Sequence, residues 1–189
     1  MKTKTISFDQ SGILTLDDNT ANIFSILLGS LFIAVMAQIS IPIPFSPIPI
    51  TGQTIAVVLL GGLLGARHGA MAVLAYLIEG AIGLPVFAQM KAGVLVLVGP
   101  SAGYLWGFVF AAFLIGYLAE NGYTTSLVSS FISCFVATTL ILVLGTLYLA
   151  LFYTGFNEAL LMGFYPFLIG DVVKSLLCAG LILGLRKAL

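Results

Sequence analysis

The sequence predicts an all-α integral membrane protein: six transmembrane helices around an outward-facing ligand pocket capped by Pro/Gly-rich loops. Three observations point there. The chain of 189 residues is 60% hydrophobic and 7% charged, with a mean hydropathy of +1.18, whereas an ordinary soluble domain carries about 25% charged residues. Its apolar runs recur at near bilayer-spanning length, separated by turn-forming residues. Its few ionisable groups fall mostly at or near the ends of those runs, except for Asp171 and Lys174.

Residues 1–20 contain Lys2, Lys4, Asp9, Asp17 and Asp18 and no long apolar run, so they read as an N-terminal cytoplasmic tail ahead of one transmembrane domain, 21–189. The first span covers 21–41, close to the ~20 residues that a hydrocarbon core requires. On it Ser30 and Ala34 form a small-xxx-small pair, widened by Gly29. Such a groove lets a second helix approach closely, either from this chain or from a partner.

Prolines 42, 44, 47 and 49 exclude helix and impose an extended, stiff, apolar loop suited to lie over a cavity. Thr51-Gly-Gln53-Thr54 opens a second span ending near Gly65, with Gln53 in its first turn, either facing a ligand or bonding the helix end. A tight turn at Gly65-Ala-Arg67-His68-Gly69 leads to the third span, 70–84, with Glu79 near its end. Spans two and three are short, about 22 Å against the ~30 Å core. The segment 85–100, apolar but broken by Pro85, Gly93, Gly99 and Pro100 and carrying Lys91, makes up the missing length. Largely non-helical backbone is tolerated there only against protein or a wet cavity.

The fourth span, 101–119, carries Gly103, Tyr104, Trp106 and Gly107 in its first turns and stops at Glu120-Asn-Gly. Trp106 either anchors at the headgroups or borders the pocket. The fifth span is 127–153, long enough to tilt. A loop at 154–158 precedes 159–165, and Pro166, suited to a first helical position, opens a last span of about 33 Å over 166–187.

Within that last span Asp171 and Lys174 stand at i and i+3, about 60° apart on one face at about 100° per residue. Each costs about 2.5–3.5 kcal/mol at a membrane helix centre. The pair either neutralises itself or grips a polar molecule, and ionisable residues at membrane depth read as functional by default.

Orientation follows from the basic residues. With both termini cytoplasmic, Lys2, Lys4, Arg67, Arg186 and Lys187 lie inside and only Lys91 outside. Helical rise then places Asp171 about 7 Å and Lys174 about 12 Å below the outer start of their helix. Gln53, Glu79 and Tyr104 fall in the same outer half. The inner halves are almost wholly Leu, Val, Ile, Ala and Gly, whereas a channel lines its whole path with polar groups.

Several classes are excluded or disfavoured. Seven basic and seven acidic residues cancel, leaving no basic field for nucleic acid. Cys134 and Cys178 lie in apolar runs and read as packing residues, His68 reads as a loop residue, and no metal-binding spacing occurs. The phosphate-cradling Gly-x-x-x-x-Gly-Lys-Ser/Thr is absent, so this chain does not power transport itself; neither His-Glu-x-x-His nor Gly-x-Ser-x-Gly occurs, and no catalysis is expected. A stand-alone ion-coupled carrier working through Glu79 or Asp171 remains an alternative, although no inverted repeat is visible.

The ordered series Ile41-Pro-Ile-Pro-Phe-Ser-Pro-Ile-Pro-Ile-Thr-Gly-Gln-Thr54, Gly61-Gly-Leu-Leu-Gly-Ala-Arg67, Ala81-Ile-Gly-Leu-Pro-Val-Phe87 and Gly99-Pro-Ser-Ala-Gly-Tyr104 resembles the BioY family, the biotin-specific substrate-binding subunits of energy-coupling factor transporters. The resemblance spans about 21–185. It implies a six-helix membrane subunit of the prokaryotic plasma membrane that captures biotin and hands it inward with a transmembrane coupling protein and two cytoplasmic ATPases. ATP would act only through those partners, and no cofactor is implied for this chain. By the same resemblance Gln53, Glu79, Gly99, Tyr104, Asp171 and Lys174 are expected to bind biotin, with Asp171 and Gln53 reading the ureido ring, Lys174 donating, and Glu79 touching ligand or holding Lys174. Ser30 and Ala34 are expected at the coupling-protein interface.

Overall fold

The computed structural model describes residues 18–188, in which helices dominate: α1 (Asp18–Gln38), α2 (Gln53–Ala81), α3 (Ala102–Glu120), α4 (Leu127–Phe152), the one-turn α5 (Phe156–Ala159) and α6 (Tyr165–Ala188). The expected tail is corrected at its end, because α1 already begins at Asp18; its remainder, 1–17, lies outside the described residues. The expected spans 101–119 and 127–153 fall within a residue of α3 and α4. Ser126 caps α4, its hydroxyl accepting from the Ser129 N–H at 3.2 Å.

Four helical stretches are long and apolar enough to cross a membrane, Gln53–Ala81, Ala102–Glu120, Leu127–Phe152 and Phe156–Leu185, and Asn22–Gln38 is a shorter apolar helix. Polarity runs inside out. Large side chains such as Leu31, Phe110, Leu151 and Ile169 face outward, while Ser30, Gln53, Ser130, Thr138, Thr146, Asp171 and Ser175 are buried. Among the described residues no buried side-chain polar atom lacks a hydrogen bond. That pattern suits a lipid solvent, which offers polar groups no partner of its own.

α2 is two helical arms joined at Gly65, whose φ of 85° and ψ of 174° belong to neither. Residues eight apart on a straight helix lie about 12 Å apart, yet a Cβ on Gly69 would press on the Cα of Gly61, so the chain reverses at the break. The reversal leaves the second arm with unpaired N–H groups at its start. Glu120, at the end of α3, supplies the cap: its Oε1 accepts from the Ala66 N–H at 2.8 Å. α3 reaches that point because Gly116 packs directly on the Gly65–Ala66 backbone and Gly61 on the Ala112 carbonyl.

The two Pro/Gly-rich segments are held by side chains. β1 (Ser40–Ile41) and β2 (Ile50–Thr51) pair antiparallel, Ser40 opposite Thr51, and close the proline loop into a hairpin with a turn at 44–45. The segment 85–100 contains two short 3₁₀ turns, Ala88–Met90 and Val94–Leu97. Its carbonyls find donors outside it: Trp106 Nε1 bonds Leu97 O at 3.2 Å, Tyr148 bonds Val98 O at 3.0 Å, and Tyr153 bonds the same oxygen.

The last helix departs most from expectation. A continuous helical path runs from Phe156 through a π turn, Leu160–Phe164, into α6, so Pro166 does not open a new helix after a loop at 154–158. Proline cannot donate to the carbonyl four residues back. That carbonyl, Met162 O, accepts instead from Ser46 Oγ of the hairpin at 2.7 Å, and the next, Gly163 O, accepts from the Tyr104 hydroxyl at 2.8 Å.

Glu120→Ala removes the cap at the α2 break and is expected to cost about 1–2 kcal/mol, read as a lower thermal midpoint in detergent. Gly65→Ala adds strain from the positive φ and should lower it further. A midpoint unchanged in both would mean that the reversal does not depend on this junction.

Candidate functional site

A cavity of about 820 Å³, open mouth included, is lined in part by the hairpin and the 85–100 segment. Its walls are apolar: Phe87, Leu105, Phe108, Ile141, Leu142 and Phe167, with Pro47, Ile48 and Pro49 of the hairpin above. Phe87 stands edge-on to Tyr76 with ring centroids 5.5 Å apart, and Gly80 leaves room for its ring.

Polar groups converge from distant parts of the chain. Gln53 is 4% exposed; its amide donates to the Tyr76 hydroxyl, while its Oε1 accepts from Thr51 Oγ1 at 3.2 Å. The β2 end and the first turn of α2 thus hold the carboxamide in one orientation. Asp171, 6% exposed, accepts from Thr139 Oγ1 at 3.0 Å through Oδ2, and the Thr138 hydroxyl also stands by its carboxylate. Lys174 Nζ donates to Thr51 O at 2.7 Å and to Thr54 Oγ1 at 3.0 Å. Two of the ammonium's three N–H groups are thereby used and one remains.

The two charged groups of α6 therefore do not spend themselves on each other. The hydrogen bonds of Lys174 run to the base of the hairpin and those of Asp171 to α4. Between apolar walls the site offers a carboxylate, an ammonium N–H and a carboxamide, which suits a small molecule with a polar head carrying both donors and acceptors and an apolar body.

Gln53, Tyr104, Asp171 and Lys174 all line this cavity. Tyr104 does so with its ring, since its hydroxyl is engaged by Gly163 O and lies 3.3 Å from Thr146 Oγ1. Glu79 and Gly99 do not line it. Glu79 accepts from Ser30 Oγ at 2.7 Å, fastening the second arm of α2 to α1, and Gly99 O accepts from the Ala102 N–H at 2.9 Å at the start of α3. The pair expected to face a coupling protein is also turned inward: Ser30 and Ala34 are 1% and 7% exposed. The groove they form is filled within the chain, Gly29 lying against Ala72 and Leu60. Trp106 is not among the lining residues, and Cys134 and Cys178 are buried free thiols.

Sequence reasoning missed Thr51, Thr54, Phe87, Lys91, Ser101, Phe108, Thr138 and Phe167 in the lining. The first two share the motif of Gln53, and Phe167 stands four residues before Asp171 on the same helical face, a usable signal. Phe87 and Lys91 enter through irregular backbone, which no periodicity reports.

The inside-out helices and this solute-sized cavity define a multi-pass helical membrane protein. The chain belongs to the BioY family, whose sequence model matches residues 3–189. It is 40% identical over 147 residues to the biotin transporter BioY of Thermotoga maritima, covering 78% of this chain and 86% of that one. It is 39% identical over 166 residues to the biotin transporter BioY2 of Lactococcus lactis, covering 87% and 89%. A crystal structure of the S-component for biotin from an ECF-type ABC transporter superposes with a TM-score of 0.82 at 29% identity, covering 92% of this chain and 95% of that one. These relatives are transporters, not enzymes.

Gly145 packs against the ring of Tyr104, leaving no space for a Cβ. Gly145→Ala should displace that ring from the cavity wall and cost about 1–3 kcal/mol through overpacking, seen as a lower melting midpoint. An unchanged midpoint would show that the ring moves freely.

Proposed function

We propose that this chain is the biotin-binding subunit of an energy-coupling factor transporter: it captures biotin on the outer side and delivers it inward when joined to a transmembrane coupling protein and two cytoplasmic ATPases. The observation that carries the reading is the polar end of the cavity, where the Asp171 carboxylate, a Lys174 N–H and the Gln53 carboxamide stand among apolar walls. Biotin matches it in chemistry. Its ureido ring has two N–H donors and one carbonyl, and its fused ring is apolar. Asp171 accepts from a ureido N–H, Lys174 donates to the ureido oxygen, and Gln53 completes the set. Family membership and the similarity to an S-component for biotin support the same ligand.

Six membrane crossings follow if the two arms of α2 count separately, with α1, α3, α4 and the path from Phe156 to Leu185 as the others. The excess of basic residues at both ends and beside the Gly65 break supports a topology with these on the cytoplasmic side and the cavity, hairpin and 85–100 segment on the outer side. That side is where a scarce nutrient is met. The need for partners follows from the missing phosphate loop in this chain and from the transporter to which its structural relative belongs.

Heating the purified protein with a panel of vitamins tests the ligand: biotin alone should raise the melting temperature, and a rise with a different vitamin instead would replace it. Asp171→Asn removes a charge-assisted acceptor contributing about 1.5–3 kcal/mol, so biotin affinity in detergent should fall at least tenfold; unchanged affinity would take Asp171 out of the site. Liposomes containing only this chain should not accumulate labelled biotin, whereas liposomes with the coupling protein and ATPases should do so when supplied with ATP. Uptake by the chain alone along an ion gradient would favour a self-sufficient carrier.

A further inference from the structure

Gln53 lines the cavity, yet one of the groups that hold it does not. Its carboxamide donates to the hydroxyl of Tyr76, a residue with no exposed surface and no place in the lining. The two residues are 23 apart in sequence and stand on opposite arms of α2, about equally far before and after Gly65. On a straight helix they would lie about 35 Å apart. The reversal at Gly65 brings them together.

A glutamine side chain turns about three bonds, and its amide offers two N–H donors and an oxygen with two lone pairs. Here the amide is held at both ends: Thr51 Oγ1 bonds its oxygen at 3.2 Å and Tyr76 its nitrogen. Its plane is thereby fixed, with one N–H and one lone pair left for the cavity. Thr51 carries the constraint further, because its carbonyl accepts from Lys174 Nζ at 2.7 Å. Tyr76 is thus the buried end of a chain that runs through Gln53 and Thr51 to the ammonium.

Tyr76 has no room to swing away. Its ring is fully buried and meets the ring of Phe87 edge-on, with centroids 5.5 Å apart, and the Phe87 ring lies in turn against Gly80. A phenylalanine would fill the same space and leave no buried hydroxyl to be paired. The oxygen at this position therefore has its use in the bond to Gln53.

We propose that Tyr76 is a positioning residue for the ligand: it touches none of it, and its hydroxyl fixes the Gln53 carboxamide at the cavity wall. The inference rests on the reading of this cavity as the biotin site, and it holds whichever way round the ligand lies.

The test is a double-mutant cycle on the purified full chain in detergent, read as the equilibrium affinity for biotin. Tyr76→Phe keeps the ring against Phe87 and removes the acceptor, so affinity should fall about three- to tenfold, the factor that one hydrogen bond contributes. Gln53→Met should lower affinity by itself. In the Gln53→Met background Tyr76→Phe should have no further effect, because the group it positions is gone. Replacing Tyr76 with a ring-fluorinated tyrosine keeps ring and hydroxyl and weakens the oxygen as an acceptor. It should give a smaller loss with the same dependence on Gln53, and it decides the matter should Tyr76→Phe not fold. Unchanged affinity, or an equal loss in both backgrounds as repacking alone would give, overturns the assignment while leaving the biotin site in place. Failure of the unaltered protein to bind biotin overturns the biotin reading and this inference with it.

Discussion

A backbone carbonyl freed inside a membrane has no water to bond and must find a donor within the protein. Met162 and Gly163 present two such carbonyls, one stripped of its partner by Pro166 and both lying in the π turn that precedes α6. Ser46 answers the first and Tyr104 the second. The two bonds set the site around them. They fasten the proline hairpin to this helical path and seat the Tyr104 ring in the cavity wall, so two parts of the lining depend on the same irregularity in the helix that carries Asp171 and Lys174.

The same logic recurs wherever regular structure gives way. Gln38 bonds the backbone of the turn that presents Phe87 and Lys91, Trp106, Tyr148 and Tyr153 bond that of 97–98, and Lys174 bonds the carbonyl of Thr51 at the foot of the hairpin. Each long side chain acts as both wall and clamp. Lys174 is the most economical example: one ammonium braces β2 and the first turn of α2 and still keeps an N–H for a ligand.

Most of the helical architecture could be read without coordinates, because apolar runs interrupted by Gly, Pro and Asn are the strongest signal that a membrane chain emits. The break at Gly65 belongs to this class, and so does the placing of Gln53, Tyr104, Asp171 and Lys174 in the lining, since helical rise alone puts them at one depth. Pro166 misled for an equally physical reason. A proline is at home at a helix start, and only a donor from a hairpin far away in sequence, Ser46, makes it acceptable after a π turn. Glu79 and Ser30 misled together: both are polar residues in apolar helices, and their bond to each other satisfies both and takes Glu79 away from the cavity.

What the sequence determined by itself is the solvent this protein lives in and the spacing of its costly charges along their helix, since each follows from composition and from a fixed rise per residue. Tertiary structure alone decided which polar groups face the cavity and which face one another. That choice rests on helix rotation, on glycine contacts that let backbones touch, and on irregular segments held by side chains up to 123 residues apart in sequence. Periodicity places a residue on its own helix; it cannot say which neighbour that helix will meet.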